Sequence, residues 1–320
     1  MKVEILGAES LGVRGLCCLV SFESRRVVID PGVALGYIRH GLMPHPFQVA
    51  LGARIRERII RETNLATDVV FSHFHGDHVP LADANPYQLP LSAVSASLGR
   101  CRLFGPDPSD LDDRQLKRRQ DIAGAAGIQI ETAGGTRRGF LSFSPPMGHG
   151  ERAGGRGTVM MTRIEAEGKV FVHASDIQLL ERDAVDFIIA WKPDVVLAGG
   201  PPLYLSALSN ALRETAWENA LRLAEGVEKV ILDHHLLRCR EGVLWLGALK
   251  RLFGDRIGCA ADYMEVKRRF LEASRKELYM DMPVPRGWHE EYAEGGENAG
   301  RLLQGFGGGL RKTGTGQNRG

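Results

Sequence analysis

From residue 1 to about residue 282, short β-branched runs alternate with longer stretches whose apolar positions recur every three or four residues. That alternation predicts an α/β layer architecture in one domain. The strands it predicts are KVEIL from Lys2, CCLVSF from Cys17, RVVID from Arg26, DVVFS from Asp68 and GFLSF from Gly139. Further on come TVMMTRIEAEGKVFVHA from Thr158, read as a hairpin turning at Glu167 and Gly168, then DFIIA from Asp186, DVVLA from Asp194 and KVILD from Lys229. Leu205, Leu208, Leu212, Ala216, Ala220 and Leu223 make one helical face that stops at Gly226, and a second helix is predicted from about Gln48 to Thr63. RQLKRRQ from Arg114 and EVKRRFLEASRKEL from Glu265 read as helices with charges facing water. From Pro283 the apolar period fades into glycine and polar residues, so 283–320 reads as a disordered tail behind a domain of residues 1–282.

Composition adds mainly exclusions. A chain of 320 residues with 43% hydrophobic content buries a sizeable core, and a net charge of +2 points to neither nucleic acid nor a membrane surface. Cys17, Cys18, Cys101, Cys239 and Cys259 are scattered without a C-x-x-C pair, which argues against a disulfide framework or a zinc ribbon and fits a reducing cytoplasm. No run reaches the roughly 18 apolar residues that would span a bilayer, so a cytoplasmic protein with no membrane partner is expected.

The chemistry concentrates in SHFHGDH, Ser72 to His78. The run follows an apolar strand, so its side chains emerge at a sheet rim, with Gly76 easing the turn. His73 and His75 can point to one side of an extended segment, while Asp77 and His78 come round to a neighbouring point, a spacing that suits two adjacent metal ions. Imidazole and carboxylate suit zinc and are acceptable to iron or manganese. Asp30, His149, Asp176 and His234 each lie just past an apolar run, on the rim where α/β sheets assemble their sites. His173, inside VFVHA, reads as a core histidine, and His40 and His45 sit in a loop near the pocket.

HFHGDH matches the H-x-H-x-D-H signature of the metallo-β-lactamase superfamily, and Asp30, His149, Asp176 and His234 follow in that family's order. SHFHGDHVPLADANPYQ and ILDHHLLR resemble, more narrowly, an archaeal branch of that superfamily. The resemblance implies a four-layer αββα fold, two facing mixed sheets with helices outside and two divalent metals, zinc first and manganese or iron next, at one edge. It implies that His73, His75 and His149 hold one metal, that Asp77, His78 and His234 hold the other, that Asp176 bridges them and that Asp30 orients the cluster. His235 is the alternative to His234.

The expected function is metal-dependent hydrolysis by a hydroxide shared between the metals, with Asp77 handling a proton and Asp30 supporting the catalytic cluster. Only 57 residues separate Asp176 from His234, too few for the inserted domain of the RNA-cleaving and DNA-repair branch, and histidine at position 75 argues against the redox diiron branch. The substrate is a small molecule or a nucleic acid. A phosphodiester is favoured slightly, because Gly199 and Gly200 could let backbone N–H groups approach an anion near a helix start. A thioester or lactone hydrolase is the alternative, and a non-catalytic nucleic-acid-binding protein the reading from another class.

Overall fold

The structure, a computed structural model, describes residues 1–150 and 157–295. The first of two mixed sheets runs in the order β1 (Lys2–Ile5), β2 (Cys18–Phe22), β3 (Arg25–Ile29), β4 (Asp68–Val70), β5 (Arg102–Gly105) and β6 (Glu131–Thr132), antiparallel up to β3 and parallel from β3 on. The second contains β7 (Arg137–Arg138), β8 (Leu141–Phe143), β11 (Thr162–Ala166), β12 (Lys169–Ser175), β13 (Val195–Ala198), β14 (Lys229–Leu232) and β15 (Ile257–Gly258) in that spatial order, and its last four strands are parallel. A small pair, β9 (Met147–Gly148) with β10 (Thr158–Val159), lies apart from both sheets in the pairing.

The alternation along each strand builds the layers. Val27 and Ile29 face inward with Ile5, Val20 and Phe104, and meet Phe143, Ile164, Phe171, Leu197 and Ile231 of the second sheet in one core. Val28, between them, turns outward with Val69 and Leu103 onto helices α1 (Pro46–Asn64), α2 (Ser95–Leu98) and α3 (Asp113–Ala126). On the opposite flank Val172, Val196 and Val230 pack against α4 (Arg182–Ala190), α5 (Asn210–Gly226) and α6 (Arg240–Phe253). The result is the αββα arrangement that the sequence resemblance implies. Among the described residues no helix is long and apolar enough to cross a membrane, and the five cysteines are free.

Several predicted elements change. DFIIA is the second half of α4, with Ala184, Val185 and Ile188 buried, because an apolar run of five fits a helix as well as a strand until its flanks are counted. The helix anticipated from Leu205 begins at Asn210, where the Ser209 side chain accepts the Leu212 N–H. EVKRRFLEASRKEL is helical only in its last part, α8 (Arg275–Asp281). Between α6 and α8 stands α7 (Ala260–Tyr263), and α9 (Trp288–Ala293) follows, with Trp288 buried in the core over the first sheet. The run expected as tail is therefore packed at its start, and residues 296–320 lie outside the described residues. The hairpin turns at Glu167 and Gly168 as anticipated, both at positive φ.

Asp262 in α7 accepts from Arg268 at 2.6 and 2.8 Å and from the Cys259 N–H at 3.1 Å. Burial by itself would raise its carboxyl, but Arg268 and the backbone bond bring it down to about 2. A carboxyl lowered by folding contributes stability that is present above its unfolded value and lost as pH falls through its folded value. Asp262→Asn should therefore be less stable than wild type at pH 6, and the gap should close between pH about 4 and about 2. Urea unfolding across that range tests this; a gap independent of pH would refute it.

Candidate metal centre

The parallel strands of both sheets end at one rim and turn sharply there. Asp30 after β3, Ser175 at the end of β12 and His234 after β14 have φ of 50°, 50° and 42°, a left-handed backbone that costs a non-glycine residue about 1–3 kcal/mol. Gly32 lets the chain after Asp30 lie against the H-x-H-x-D-H turn, because a Cβ there would stand 2.2 Å from the His78 carbonyl carbon and the Val79 nitrogen.

Asp176 is the hub of the site. Its Oδ2 lies 2.7 Å from His149 Nε2, 3.0 Å from His235 Nε2 and 3.5 Å from His73 Nε2. Its Oδ1 faces the other way, 3.1 Å from His78 Nε2 and 3.4 Å from His234 Nε2. Ligand atoms of His73, His75, His149 and Asp176 lie within 4.8 Å of one another, and so do those of Asp77, His78 and His234. The residues singled out in the sequence thus come together as two groups joined by one carboxylate. Asp176 Oδ1 and His73 Nε2 are buried without a hydrogen-bond partner among the described residues. Orphaned atoms of this kind are costly unless a cation or water satisfies them, so the donor set fits a metal ion.

Electrostatics prepare the same role. Burial, with His73 and His149 alongside, lowers His75 to about 3, and burial lowers His235 to about 4 in spite of Asp176. Both rings are neutral at pH 7, the form that ligates metal. Burial would raise the Asp176 and Asp77 carboxyls, but the surrounding histidines, joined at Asp77 by Arg238, hold both well below the usual range.

A buried layer fixes the rings. Asp30 accepts from the Ser72 N–H at 2.7 Å, the Ser72 hydroxyl at 2.6 Å, the Ser175 hydroxyl at 2.9 Å and His78 Nδ1 at 2.9 Å. Ser72 Oγ also lies 2.9 Å from His73 Nδ1, so Asp30 contacts one cluster histidine directly and a second through Ser72. Tyr204 Oη sits 3.2 Å from His235 Nδ1. His173 is a core residue bonded through Nε2 to the Leu16 carbonyl at 2.8 Å. His45 caps α1 by accepting the Phe47 N–H.

Arg238 is the member that sequence reasoning missed. Its guanidinium lies 2.7 Å from His234 Nε2, 3.2 Å from Asp77 Oδ2 and 3.1 Å from Glu9 Oε1. His234 Nδ1 meanwhile accepts the Gly15 N–H at 3.2 Å. His234 is thus approached by donors on both nitrogens, and a metal ion at Nε2 has to displace the arginine's hydrogen bond. His235 has no such competitor, and it faces Asp176 Oδ2 on the side of His149.

The anion-binding reading of Gly199 and Gly200 is overturned. Their N–H groups donate to the Ser175 carbonyl at 2.7 Å and the Ile177 carbonyl at 3.1 Å, and α5 starts ten positions after Gly200, at Asn210. The glycines serve close packing instead: a Cβ on Gly199 would lie 3.3 Å from both Asp176 Cα and His235 Cδ2.

A four-layer sandwich that gathers an H-x-H-x-D-H turn and later strand-end histidines and aspartate at one rim is the metallo-β-lactamase type of fold that the sequence resemblance implies. No family model matches the chain. It is 48% identical over 295 residues to a UPF0282 protein of Methanosarcina mazei, covering 92% of this chain and 97% of that protein, and 33% identical over 302 residues to a UPF0282 protein of Pyrococcus abyssi, covering 90% and 97%. The chain belongs to the UPF0282 family. Among solved structures it is similar to Tm1679, a metal-dependent hydrolase of the beta-lactamase superfamily, at 18% identity and a TM-score of 0.49 over 80% of this chain and 94% of that one.

Proposed function

We propose that the chain is a metal-dependent hydrolase acting on a small phosphoester, with a phosphodiester as the bond cut. The observation that carries this reading is the Asp176 carboxylate, whose two oxygens face two separate histidine sets while Oδ1 and His73 Nε2 stay buried without a well-formed hydrogen bond among the described residues. Divalent ions held there, zinc first by ligand type and manganese or iron next, supply Lewis acidity that makes water a nucleophile at neutral pH and offsets charge on the scissile group.

The chain's own residues do the rest. Asp30, Ser72, Ser175 and Tyr204 hold the ligand rings so that little reorganisation is needed when substrate arrives. Asp77 keeps 20% of its side chain exposed, more than the other cluster carboxylate Asp176 at 2%, so it is the carboxylate that solvent reaches and the one placed to accept a hydrogen bond from the reacting water. The wall that Arg238 and Tyr204 share with the site is cationic, which favours an anionic substrate over the lactone or thioester reading, where an apolar wall would serve better.

Elemental analysis of the purified protein, together with hydrolysis of a chromogenic phosphodiester before and after chelation, tests the proposal. Bound divalent metal and a loss of about a hundredfold or more in turnover on chelation are expected. Chelator-insensitive turnover would exclude the metal mechanism, and cleavage of thioesters or lactones alone would exclude the phosphoester.

A further inference from the structure

A cavity of about 320 Å³ opens beside the metal centre and shares Tyr204 and Arg238 with it. Four stretches of chain far apart in sequence build it: the loop carrying Arg39 and His40, the turn at Tyr204, the segment Arg238–Arg240, and α8 with Lys276 and Glu277. The loop is fixed from beneath by Arg275, fully buried, which donates to the Leu42 carbonyl at 3.1 Å and to Gln48 Oε1 at 3.3 Å. The cavity wall is therefore held in place before any ligand binds.

Its charge is lopsided. Arg39, Arg238, Arg240 and Lys276 line it against a single carboxylate, Glu277, which Arg240 already pairs at 2.7 Å. Arg39 and Arg238 are balanced from behind by Glu272 at 3.1 Å and Glu9 at 3.1 Å, neither of which lines the cavity. Lys276 makes no ion pair with a carboxylate among the described residues. Arg39 stacks over the Tyr204 ring at 5.1 Å, and its Nε is a buried donor without a hydrogen-bond partner among the described residues. The cationic surplus of this wall, with Lys276 free of a carboxylate among the described residues, points to an oxygen-rich anion that arrives with the ligand. Tyr204 Oη stands 3.2 Å from His235 Nδ1 and 3.3 Å from an Arg238 terminal nitrogen, so one side chain separates the cavity from the ring facing Asp176.

We infer that this cavity receives a second, uncleaved phosphate of the substrate, so that the molecule hydrolysed at the metal centre carries a terminal phosphate beside the bond that breaks. The inference rests on the hydrolase reading for what happens at the metals, but the cavity's affinity for phosphate is measurable without turnover. Titrating inorganic phosphate into the purified full-length protein should give saturable binding. Binding should weaken about tenfold in Lys276→Gln and in Arg39→Gln, the loss of one charge-assisted contact. It should persist in His73→Ala, which damages the metal centre alone, and stay unchanged in Lys117→Gln, an exposed lysine on α3 outside the cavity. Phosphate should also raise KM for the phosphoester and leave kcat alone. The inference is overturned if phosphate does not saturate, if both cavity variants bind as wild type, if binding vanishes in His73→Ala while surviving in the cavity variants, or if inhibition lowers kcat at constant KM. Saturable binding at the cavity with no turnover of any ester would instead count against the hydrolase reading.

Discussion

Asp176→Ala should abolish turnover and release metal from a protein that still folds. Both carboxylate oxygens are committed to the cluster, Oδ2 to His149, His235 and His73 and Oδ1 to His78 and His234. Asp30 also reaches one histidine of each set, but it meets His73 only through Ser72 Oγ. Without Asp176 the two sets lose their common anion, and the charge compensation that makes a cation welcome among neutral imidazoles goes with it. Lewis-acid stabilisation is worth several kcal/mol, so the loss in kcat should be about a thousandfold or more. The fold should survive because Asp176 Oδ1 makes no hydrogen bond that the scaffold needs. Metal content by elemental analysis, the far-UV circular dichroism spectrum and kcat on the phosphodiester are the readouts. A variant with full metal and full turnover would remove Asp176 from the centre of the mechanism.

The legible part of this protein is the part that sequence-local rules govern. Strands with alternating faces, such as Val27, Val28 and Ile29, announce both the sheet and which side of it each residue faces. The candidate cluster was legible for a related reason: the ends of parallel strands converge, so histidines and aspartates just past apolar runs meet even when they are far apart in the chain. DFIIA was misread because five apolar positions do not distinguish a buried strand from the inner face of a helix, and only Ala184 and Val185 upstream decide it. Gly199 and Gly200 were misread because the pattern shows that a glycine is needed, not whether backbone N–H groups remain free. Arg238 was missed although it closes the ILDHHLLR run four positions after His234, because its carboxylate partners Glu9 and Asp77 are 229 and 161 positions away and no local pattern ties them to it. The two adjacent histidines were ambiguous for a physical reason: the left-handed turn at His234 brings both rings to Asp176, on opposite oxygens.

Asp30→Ala should cost more stability than any single ligand change. The carboxylate is fully buried and accepts four hydrogen bonds, from the Ser72 N–H, the Ser72 and Ser175 hydroxyls and His78 Nδ1. These donors come from the ends of strands in both sheets, so Asp30 ties the two sheets together at the rim where the metal centre forms. Alanine leaves all four facing a void, and removing one partner from a buried charged network costs about 3–5 kcal/mol. The same bonds orient His78 directly and His73 through Ser72 Oγ, so metal affinity should fall by about 10–100-fold as well. Asp30→Asn keeps the volume and one acceptor oxygen but turns an amide NH2 toward groups that already donate, and should fall between alanine and wild type in both respects. Urea unfolding and metal titration of the three proteins, run side by side, separate the two effects. Equal stability in all three would mean that the sheets do not depend on Asp30, and equal metal affinity would mean that the ligand rings are positioned by packing alone.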